Sequence, residues 1–377
     1  MMRLVAIGTL PPPHNGQSVA FEEFLGALMS DGIALTVLRL PAFRTRTGCS
    51  KWAAWGYMLF FLRLVCSLVH CTTVYLQLGQ STRGMYRDLL VLEMCQIFRR
   101  SVVCHLHGGN YRESFDRLPA HLRQRLKKRL SLCKAIILLD RSIVSSFPLL
   151  PGEGAIRFIS NGIALPPDVS RAPKTLPGRQ CGAVKLLYCS SLIETKGYLE
   201  AIHATGMLHR RYGWDVELDI CGAYQSTPDA IRVRSEVECH QAIESAIRVW
   251  NVEDRIRVLG TVTGHDKLQH YQQAHFLLLP SRYIYEGQPL CLIEALAFGT
   301  VPVATAFRAI PGLISHGSTG LLLDSVAPGE IAFQLDQVLQ QPEWYSRMSA
   351  ASMKRFDAEF TLSHHTTQII RLLTEDD

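Results

Sequence analysis

Short apolar runs separated by longer helical stretches dominate the first half of the chain. The runs are RLVAIG (3–8), ALTVLRL (34–40), TVYLQL (73–78), SVVCHLH (101–107), AIILLD (135–140) and AIRFIS (155–160). Runs of this length with few charges predict buried strands, and the stretches between them are long enough for crossover helices. The alternation therefore predicts an α/β protein with a doubly wound parallel sheet.

The same alternation starts again in the second half. Its runs are VKLLYCS (184–190), VELDIC (216–221), IRVLG (256–260), HFLLLPS (275–281), VPVAT (301–305) and TGLLLD (319–324). Between the halves, segment 166–182 is rich in proline and glycine and has no periodicity, which indicates a linker. We predict a domain at 1–165 and a second at 183–359, facing each other across a cleft, where ligands commonly bind.

The composition is that of a folded protein in a reducing compartment. The chain has 377 residues, of which 47% are hydrophobic and 19% charged, and this excludes a disordered chain. The eleven cysteines are scattered without a C-x-x-C pair, and Cys189, Cys221 and Cys291 lie in apolar runs. We expect reduced, buried thiols. The N-terminal apolar run is too short for a signal peptide and predicts a first strand.

Charge is unevenly distributed along the chain. The net charge is +6, but residues 1–165 carry 20 Lys and Arg against 9 Asp and Glu, a net charge of +11, and the remaining residues carry 19 against 24. This asymmetry predicts that the first half faces an anionic partner: a membrane surface, a nucleic acid or a phosphorylated substrate.

One stretch of the first half, RLPAHLRQRLKKRLSLCK (117–134), has a leucine every four residues from Leu118 to Leu130 and no acidic residue. A basic amphipathic helix of this kind suits an anionic membrane surface. Alternatively, the leucines pack into the domain and the basic side chains are solvated. Nucleic acid is disfavoured because no aromatic residue interleaves the run. The candidate membrane contacts are Arg117, Arg123, Arg125, Lys127, Lys128, Arg129 and Lys134.

Segment 52–69 is the one hydrophobic stretch near the length of a membrane span. Arg63 falls inside it, and a central arginine makes insertion costly. The segment therefore predicts a buried or interfacial helix.

Two carboxylates eight residues apart mark the richest stretch, PSRYIYEGQPLCLIEALAFGTVPVAT (280–305). Glu286 lies in a predicted loop, and a helix that begins near Leu290 carries Glu294. The backbone N–H groups of the helix N-terminus would point at an anion, and both carboxylates could face one ligand. The alternative is that Glu294 pairs with a nearby cation and that Glu286 is a solvated loop residue.

This stretch resembles the E-x7-E signature of retaining glycosyltransferases with the GT-B fold, close to glycosyltransferase family four. Other pieces match in the family's order: PPPHNGQS (11–18), HLHGGN (105–110), SNGI (160–163), SSLIETKG (190–197), ICGAY (220–224) and VLGTV (258–262). The resemblance covers nearly the whole chain. It implies two Rossmann-like domains, the N-terminal one on the acceptor side, with a C-terminal helix at about 360–377 that packs back on the N-terminal domain.

The resemblance also implies a role for each motif residue. Glu294 would bind the ribose hydroxyls of a nucleotide sugar, and Lys196 would neutralise its diphosphate. The catalytic candidates are Glu286, near the donor sugar, and His107, facing it from the N-terminal domain. The other donor-binding candidates are Gly16, Ser191, Gly222, Gly260, Gly287, Gln288, Pro289 and Leu290, and those for the acceptor or the cleft are Asn110 and Asn161.

One position departs from the family's pattern. Ser191 stands where many members have an arginine, five residues before Lys196, so one of the two usual diphosphate cations is absent. Arg282 or Arg308 could substitute only if the fold brings them near. The departure leaves the strength of diphosphate binding open.

No metal ion is expected. The one acidic triplet that resembles a D-x-D metal motif, Glu217–Asp219, alternates with apolar residues as on a strand with one solvated face. Helix N-termini and lysine would instead stabilise the leaving group.

These features predict a cytoplasmic enzyme, peripherally bound to the inner face of the membrane and with no cofactor beyond its donor substrate. It would move a sugar from a nucleotide sugar to a lipid-linked saccharide acceptor, with retention of the anomeric configuration. This reaction would serve cell-surface polysaccharide synthesis. Two alternatives stay open. A GT-B sugar-nucleotide epimerase would bind the same donor without an acceptor, and a non-catalytic nucleotide-sugar-binding protein would be compatible with Ser191.

Overall fold

The computed structural model divides the chain into two compact units. The first comprises Met1–Ala164 with Phe360–Asp377, and the second comprises Leu165–Glu359. The structure describes residues 3–12, 16–41, 51–148, 156–179, 181–227 and 229–374, with only the backbone of residues 51–54. Each unit is built on a six-stranded sheet whose paired strands are all parallel.

The sheet of the first unit has the strand order β2-β1-β3-β4-β5-β6. Its strands are β1 (Arg3–Gly8), β2 (Ala34–Arg39), β3 (Thr73–Gln77), β4 (Ser101–Leu106), β5 (Ala135–Leu138) and β6 (Ile156–Phe158). The central strands β3, β4 and β5 are almost entirely buried, as expected for strands covered by helices on both faces. The predicted strands of the first half are therefore present.

Helices cover both faces of this sheet. They are α1 (Gly16–Ser30), α2 (Lys51–His70), α3 (Thr82–Ile97), α4 (Tyr111–Asp116) and α5 (Ala120–Leu130). Crossovers between parallel strands are right-handed, so α1, which leads from β1 outward to β2, covers one face. By the same rule α2, α3 and α5 lead in the opposite direction along the sheet and cover the other face. A 3-10 helix, Arg141–Ser146, follows β5.

The sheet of the second unit has the strand order β12-β11-β10-β7-β8-β9. Its strands are β7 (Val184–Cys189), β8 (Val216–Cys221), β9 (Ile256–Gly260), β10 (Phe276–Leu279), β11 (Val301–Thr305) and β12 (Leu321–Leu323). The chain starts in the middle of the sheet at β7, builds one half, and returns to β10 on the other side of β7. The strand order therefore reverses between β7 and β10, and ligands of such sheets bind at the carboxyl ends of strands at this point.

The helices of the second unit include α9, which begins at Leu290 as the sequence predicts. They are α6 (Tyr198–Arg210), α7 (Glu236–Trp250), α8 (Gly264–Gln273), α9 (Leu290–Ala297), α10 (Ile310–Leu313), α11 (Pro328–Leu339) and α12 (Pro342–Glu359). Helix α9 ends just before Gly299, whose φ of +61° is a conformation that suits glycine.

The segment that the sequence marks as a linker is anchored to the second unit by Lys174. The Lys174 ammonium donates to the carbonyl oxygens of Tyr271 and Ala274, both at 2.5 Å, and to Thr300 Oγ1 at 2.7 Å. The backbone N–H of Lys174 donates to Ser349 Oγ at 2.8 Å. These four bonds fix this part of the segment against the sheet of the second unit.

The last helix, α13 (Leu362–Thr374), belongs to the first unit and packs beside α1. Its Ile369 and Leu373 join the core formed by Phe21, Phe24 and Tyr75. The backbone N–H of Leu362 donates to Ile163 O at 2.9 Å. A Cβ at Gly162 would lie 2.4 Å from Thr361 O, so the SNGI motif needs its glycine for this close approach.

The basic stretch 117–134 forms a helix only over the eleven residues of α5. Leu118, Leu126 and Leu130 are buried, so the leucine stripe is largely committed to the first unit. Arg125 Nη2 lies 2.7 Å, and Arg129 Nε 3.7 Å, from the same Glu93 Oε1 on α3. Two of the seven candidate membrane contacts therefore share an acidic partner.

Helix α2 occupies the hydrophobic segment 52–69. Within the described residues, no helix has both the length and the apolar character needed to cross a membrane. Phe60, Leu64 and Leu68 of α2 are buried, whereas other large apolar side chains of the same helix are exposed.

Candidate functional site

Lys196 and Glu286 meet at the point where the strand order of the second unit reverses. Lys196 follows β7 in a 3-10 helix, Glu194–Lys196, and Glu286 follows β10. Lys196 Nζ donates to Glu286 Oε1 at 3.3 Å, and Ser281 Oγ donates to Glu286 Oε2 at 2.8 Å. The Glu286 side chain is only 5% exposed. The alternative that Glu286 is a solvated loop residue is therefore wrong.

Glu194 holds the lysine loop in place. Its carboxylate accepts from the backbone N–H groups of Ile231, Arg232 and Val233 at 2.8, 2.8 and 3.1 Å. Burial raises the pKa of Glu194, but these bonds and the Arg232 guanidinium outweigh it and lower the pKa to about 2. A Cβ at Gly197 would lie 2.4 Å from Pro280 O, so the lysine loop touches the end of β10. Both features place Lys196 beside Glu286.

Glu294 forms the second carboxylate of the site, on α9. Lys267, in the first turn of α8, donates to Glu294 Oε1. Burial lowers the pKa of Lys267, but the Glu294 carboxylate together with Cys189 and Cys291 raises it by more, so its pKa lies above the ordinary value. Within the described residues, Glu294 Oε2 is buried and has no hydrogen-bond partner. The alternative that Glu294 pairs with a cation is therefore correct for Oε1. Oε2 is left to accept a hydrogen bond from a ligand.

The glycines of the second unit bring the ends of β7, β8 and β9 together. Gly222 has a φ of +156°, and a Cβ there would lie 1.9 Å from Ser190 O. The N–H of Gly222 donates to Gly260 O at 2.7 Å, and Gly260 has a φ of +67°. Only glycine permits this approach, which holds the Ser190–Ser191 turn against β8.

Backbone and tyrosine contacts hold the Ser191 carbonyl in place. The Ser191 carbonyl accepts from Ile193 N–H at 2.8 Å and from Tyr188 Oη at 3.2 Å. Arg282 lies beside the lysine loop, where its N–H donates to Thr195 O at 2.8 Å, but its guanidinium lies 3.9 Å from Glu200. Arg308 lies over the ring of its neighbour Phe307. Neither arginine is placed on Ser191 by these contacts.

Gly287, Gln288, Pro289 and Leu290 form the N-terminal approach to α9. Pro289 is the capping residue, and in the described part of the chain no side chain caps this helix. The first N–H groups of a helix have no intrahelical partner, so this terminus can bind an anion. The Gln288 side chain is buried.

The first unit places His107 in a cluster of histidines at the carboxyl end of β4. The His105 and His107 rings stack with 3.9 Å between their centroids, and the His365 ring lies 5.9 Å from that of His105. Burial and, to a smaller extent, the charge of His365 lower the pKa of His107 to about 3. A hydrogen bond with Asn161 acts in the opposite direction and raises this pKa. Asn161, an acceptor-side candidate, is therefore a direct neighbour of His107.

The other two histidines are also neutral near pH 7. Burial, followed by the charges of His107 and His365, lowers the pKa of His105 well below its usual range, and Tyr75 Oη lies 2.6 Å from its Nδ1. Burial lowers the pKa of His365 to about 4, although Nδ1–H donates to Ser160 O at 2.6 Å. The cluster is thus a group of buried, uncharged, polar side chains.

Two glutamines organise the loops at the carboxyl ends of β1, β3 and β4. Gln77 Oε1 accepts from Thr9 N–H at 2.9 Å, and Gln77 Nε2 donates to Gln17 O at 3.2 Å. Gly16, next to Gln17, is the exposed first residue of α1, while residues 13–15 of the PPPHNGQS motif lie outside the described residues. Gln80 Oε1 accepts from the N–H of Asn110 at 3.3 Å.

The residues that are absent from the sequence-based site include Lys267, His365 and Gln77. Lys267 sits in an ordinary polar helix, and His365 and Gln77 lie far along the chain from the groups that they contact. The residue pattern carries no local signal for any of them.

The acidic triplet has other partners. Asp219 accepts from Arg257 at 2.7 and 2.9 Å, and lies 2.9 Å from His270 Nδ1. It therefore belongs to a network of charged side chains beside β8.

Comparison with known proteins identifies the second unit. A family model described as "Glycosyl transferases group 1" matches residues 179–355. A D-inositol 3-phosphate glycosyltransferase of Frankia alni is 32% identical over 104 residues, 28% of this chain and 25% of that protein. The amylovoran biosynthesis glycosyltransferase AmsK of Erwinia amylovora is 28% identical over 161 residues, 41% of this chain and 36% of that protein. The chain thus spans well under two thirds of the length of these relatives.

Solved structures share the fold over nearly the whole chain. Anabaena HepE in complex with UDP has a TM-score of 0.71 at 15% identity, covering 99% of this chain and 100% of that one. The predicted fold is confirmed, and the family resemblance is confirmed for residues 179–355. The chain has the α/β architecture of the GT-B class, and its residues 179–355 form a glycosyl transferases group 1 domain.

Proposed function

We propose that the protein is a retaining glycosyltransferase that moves a sugar from a nucleotide sugar to a saccharide acceptor. The observation that carries the proposal is the pair of Lys–Glu contacts, Lys196–Glu286 and Lys267–Glu294, inside the group 1 domain. Both glutamates belong to the signature stretch, and Glu294 presents a buried oxygen without a partner among the described residues.

The donor would be a uridine diphosphate sugar bound by the second unit. HepE has been solved with UDP, with UDP and glucose, and with UDP-glucose. Glu294 Oε2 would accept from a ribose hydroxyl, which would satisfy an oxygen whose burial is otherwise costly. Lys196 would contact the diphosphate, and the N–H groups from Gly287 to Leu290 would bind sugar or phosphate oxygens. Ser191, Gly222 and Gly260 would shape this pocket and leave room for the phosphates.

In the transfer step, the acceptor hydroxyl oxygen would attack the anomeric carbon of the donor sugar on the face from which the diphosphate departs. The bond from that carbon to the diphosphate would break, and the hydroxyl proton would pass to the departing diphosphate. Lys196 and the α9 terminus would stabilise the negative charge of the leaving diphosphate, without a metal ion. Glu286 is held by Lys196 and Ser281, so its position is fixed before the donor binds. It would accept from a donor-sugar hydroxyl and stabilise positive charge at the reacting carbon. It need not become a covalent nucleophile.

The acceptor would be handled by the first unit. His107 is neutral, so it can exchange hydrogen bonds with a sugar hydroxyl but does not act as a cationic acid near pH 7. Asn161 and Asn110 would hold acceptor hydroxyls, and Gly16 would let the backbone approach a phosphate. The relative AmsK is named for amylovoran biosynthesis, which supports a role in polysaccharide synthesis. In our proposal the polysaccharide is a cell-surface one and the acceptor is lipid-linked.

The protein would work on the cytoplasmic side of the membrane, docked through its basic first unit. Arg123, Lys127 and Lys128 have no acidic partner among the described ion pairs, and they would face anionic lipid. Because the leucines of α5 are largely buried, electrostatic attraction alone would act there.

The test starts from nucleotide binding. Thermal unfolding with UDP, GDP and ADP identifies the base, because a ligand at about 100 times its dissociation constant adds about 2.7 kcal/mol of stability. Glu294→Ala should weaken UDP binding by about 1.5–3 kcal/mol, the range for hydrogen bonds to a charged group. Glu244→Ala, on the exposed face of α7, is the control and should bind as the wild type does. Equal UDP affinity in a folded Glu294→Ala protein would refute the proposed site.

The reaction itself separates the alternatives. A transferase releases nucleoside diphosphate in step with glycosylated acceptor and keeps the anomeric configuration of the donor. An epimerase would interconvert the donor sugar with no acceptor. Donor binding without turnover in native membranes would support a non-catalytic binding protein.

A further inference from the structure

Helix α2 presents an apolar stripe to solvent. Its fractional exposures are 64% for Trp55, 47% for Met58, 50% for Leu59, 56% for Leu62, 37% for Val65 and 51% for Val69. Spacings of three and four residues place these six side chains on one side of the helix. Phe60, Leu64 and Leu68, on the opposite side, are buried against the first unit.

We propose that this stripe inserts into the interfacial layer of an anionic bilayer, with α2 lying in the membrane plane. The inference deepens the membrane docking within the proposed function and rests on it. The twenty residues of α2 make a helix about 30 Å long, enough for a broad contact, while the helix lacks the character of a span. Arg63 is exposed on the flank of the stripe, where it can reach headgroup phosphates.

The positive charge of the first unit favours anionic lipid, rather than a second copy of the chain, as the partner that covers the stripe. Helix α2 contains Lys51 and Arg63 and no acidic residue, and residues 1–165 carry the net charge of +11. Two copies packed through α2 would bring two such basic surfaces together, whereas anionic headgroups oppose them with the complementary sign.

The basic helix and the stripe lie in the same layer of the first unit. Helices α2, α3 and α5 cover one face of the sheet by the handedness of their crossovers. Arg100 joins this layer at one end, because its Nε donates to Leu68 O at 2.7 Å in the last turn of α2. Helix α3 adds exposed Tyr86, Leu90 and Ile97. The layer thus combines apolar side chains for insertion with the cations of α5 for attraction.

The second unit supplies a matched control. Helix α7 exposes Val237 and Val249, each 65% exposed, but twelve residues apart, so they point about 120° apart around the helix axis and form no stripe. The variant Val237→Glu/Val249→Glu therefore makes the same kind of substitution on a helix without a role in the proposal.

The experiment is flotation of the full chain with vesicles of phosphatidylcholine with and without phosphatidylglycerol. The wild type should float with anionic vesicles and retain part of its binding at about 0.5 M salt, where exposed charges are screened beyond about 4 Å. Leu62→Glu/Val69→Glu should bind at least about tenfold more weakly at both salt concentrations. The α7 control should float like the wild type. The triple variant Arg125→Glu/Lys128→Glu/Arg129→Glu should lose mainly the salt-sensitive part of the vesicle binding.

A second readout is tryptophan fluorescence, measured on the wild-type protein and on one conservative variant. Brominated lipid should quench tryptophan fluorescence in the wild type, and the quenching should fall in Trp55→Phe. The inference is overturned if Leu62→Glu/Val69→Glu floats like the wild type, if salt removes all binding, or if Trp55 is not quenched. It is also overturned if sedimentation shows a dimer that these substitutions dissociate. UDP affinity and sugar transfer with a soluble acceptor, measured on the same proteins, report separately on the proposed function.

Discussion

The two units share an architecture and differ in how they treat charge at the carboxyl ends of their strands. In the second unit, two lysines and two glutamates form two ion pairs there. The glutamate of each pair is largely buried, with 5% of the Glu286 side chain and 12% of the Glu294 side chain exposed. In the first unit, the same edge holds His105, His107 and His365, all of which burial keeps neutral. Buried charge needs a partner of opposite sign, so one site is prepared for an ionic ligand and the other for a neutral one.

The difference matches the two substrates of the proposed reaction. A nucleotide diphosphate is anionic, so it can replace the glutamate carboxylates as the partner of the lysines in the second unit. A saccharide hydroxyl is neutral and is suited to imidazole and amide groups. Changes in the second unit should therefore alter donor binding or charge stabilisation, and changes in the first should alter transfer while leaving the nucleotide bound.

The largest expected effect is on turnover in Glu286→Gln. The amide keeps the size of the side chain but removes the negative charge beside the reacting sugar, so transfer should fall about 10²–10³-fold. UDP binding should change little, as measured by calorimetry beside initial rates. Glu343→Gln, an exposed substitution on α12, is the control. Wild-type turnover in Glu286→Gln would remove Glu286 from the reaction.

His107→Ala is the counterpart in the first unit. It should reduce transfer by about 10–10²-fold, because one hydrogen bond at the reacting sugar is lost, and should leave the UDP dissociation constant unchanged. His121→Ala, an exposed histidine of α5, should behave as the wild type does. A shift of UDP affinity equal to that of Glu294→Ala would show that the two units do not divide the substrates in this way.

The Lys267–Glu294 pair gives the next effect, on stability. Lys267→Met removes the partner of a largely buried carboxylate, and we expect a loss of about 2–3 kcal/mol, somewhat below the range for fully buried pairs. The double variant Lys267→Met/Glu294→Met should recover most of this loss in urea unfolding, because no unpaired charge remains. Lys354→Met, an exposed lysine of α12, is the control. Equal stability of the single variant and the wild type would show that the pair is solvated.

The sequence predicts the fold well because each strand and most helices are encoded locally. Alternating apolar runs and helix-length spacers define twelve strands in two groups, and Pro289 with Leu290 marks the start of α9. The site is only half predictable. Glu286, Glu294 and Lys196 are found through a signature, but the burial of Glu286 depends on Ser281 and on a lysine ninety residues away.

Residues brought in by tertiary contacts escape this kind of reasoning. Lys267 reaches Glu294 from another helix, and His365 reaches Ser160 from the opposite end of the chain. The exposed side of α2 is equally hard to predict from the sequence. The pattern of segment 52–69 predicts a buried or interfacial helix without telling which side chains face outward, since that depends on how α2 packs on the first sheet.

The smallest expected effect concerns acid sensitivity of the first unit. His365 has a pKa of about 4 when folded against an ordinary value of 6.5, so between these pH values the unfolded chain binds more protons than the folded one. Stability therefore falls as the pH drops from about 6.5 towards about 4, and His365 alone should contribute about 1–2 kcal/mol of loss at pH 5. His365→Asn can keep a donor for Ser160 O but does not titrate, so its unfolding free energy should decline less between pH 7 and pH 5 than that of the wild type. His364→Asn, its exposed neighbour, should show the full decline. Parallel pH profiles for His365→Asn and the wild type would mean that this histidine is solvated enough to protonate in place, and the contrast between a neutral first unit and an ionic second unit would then fail at this residue.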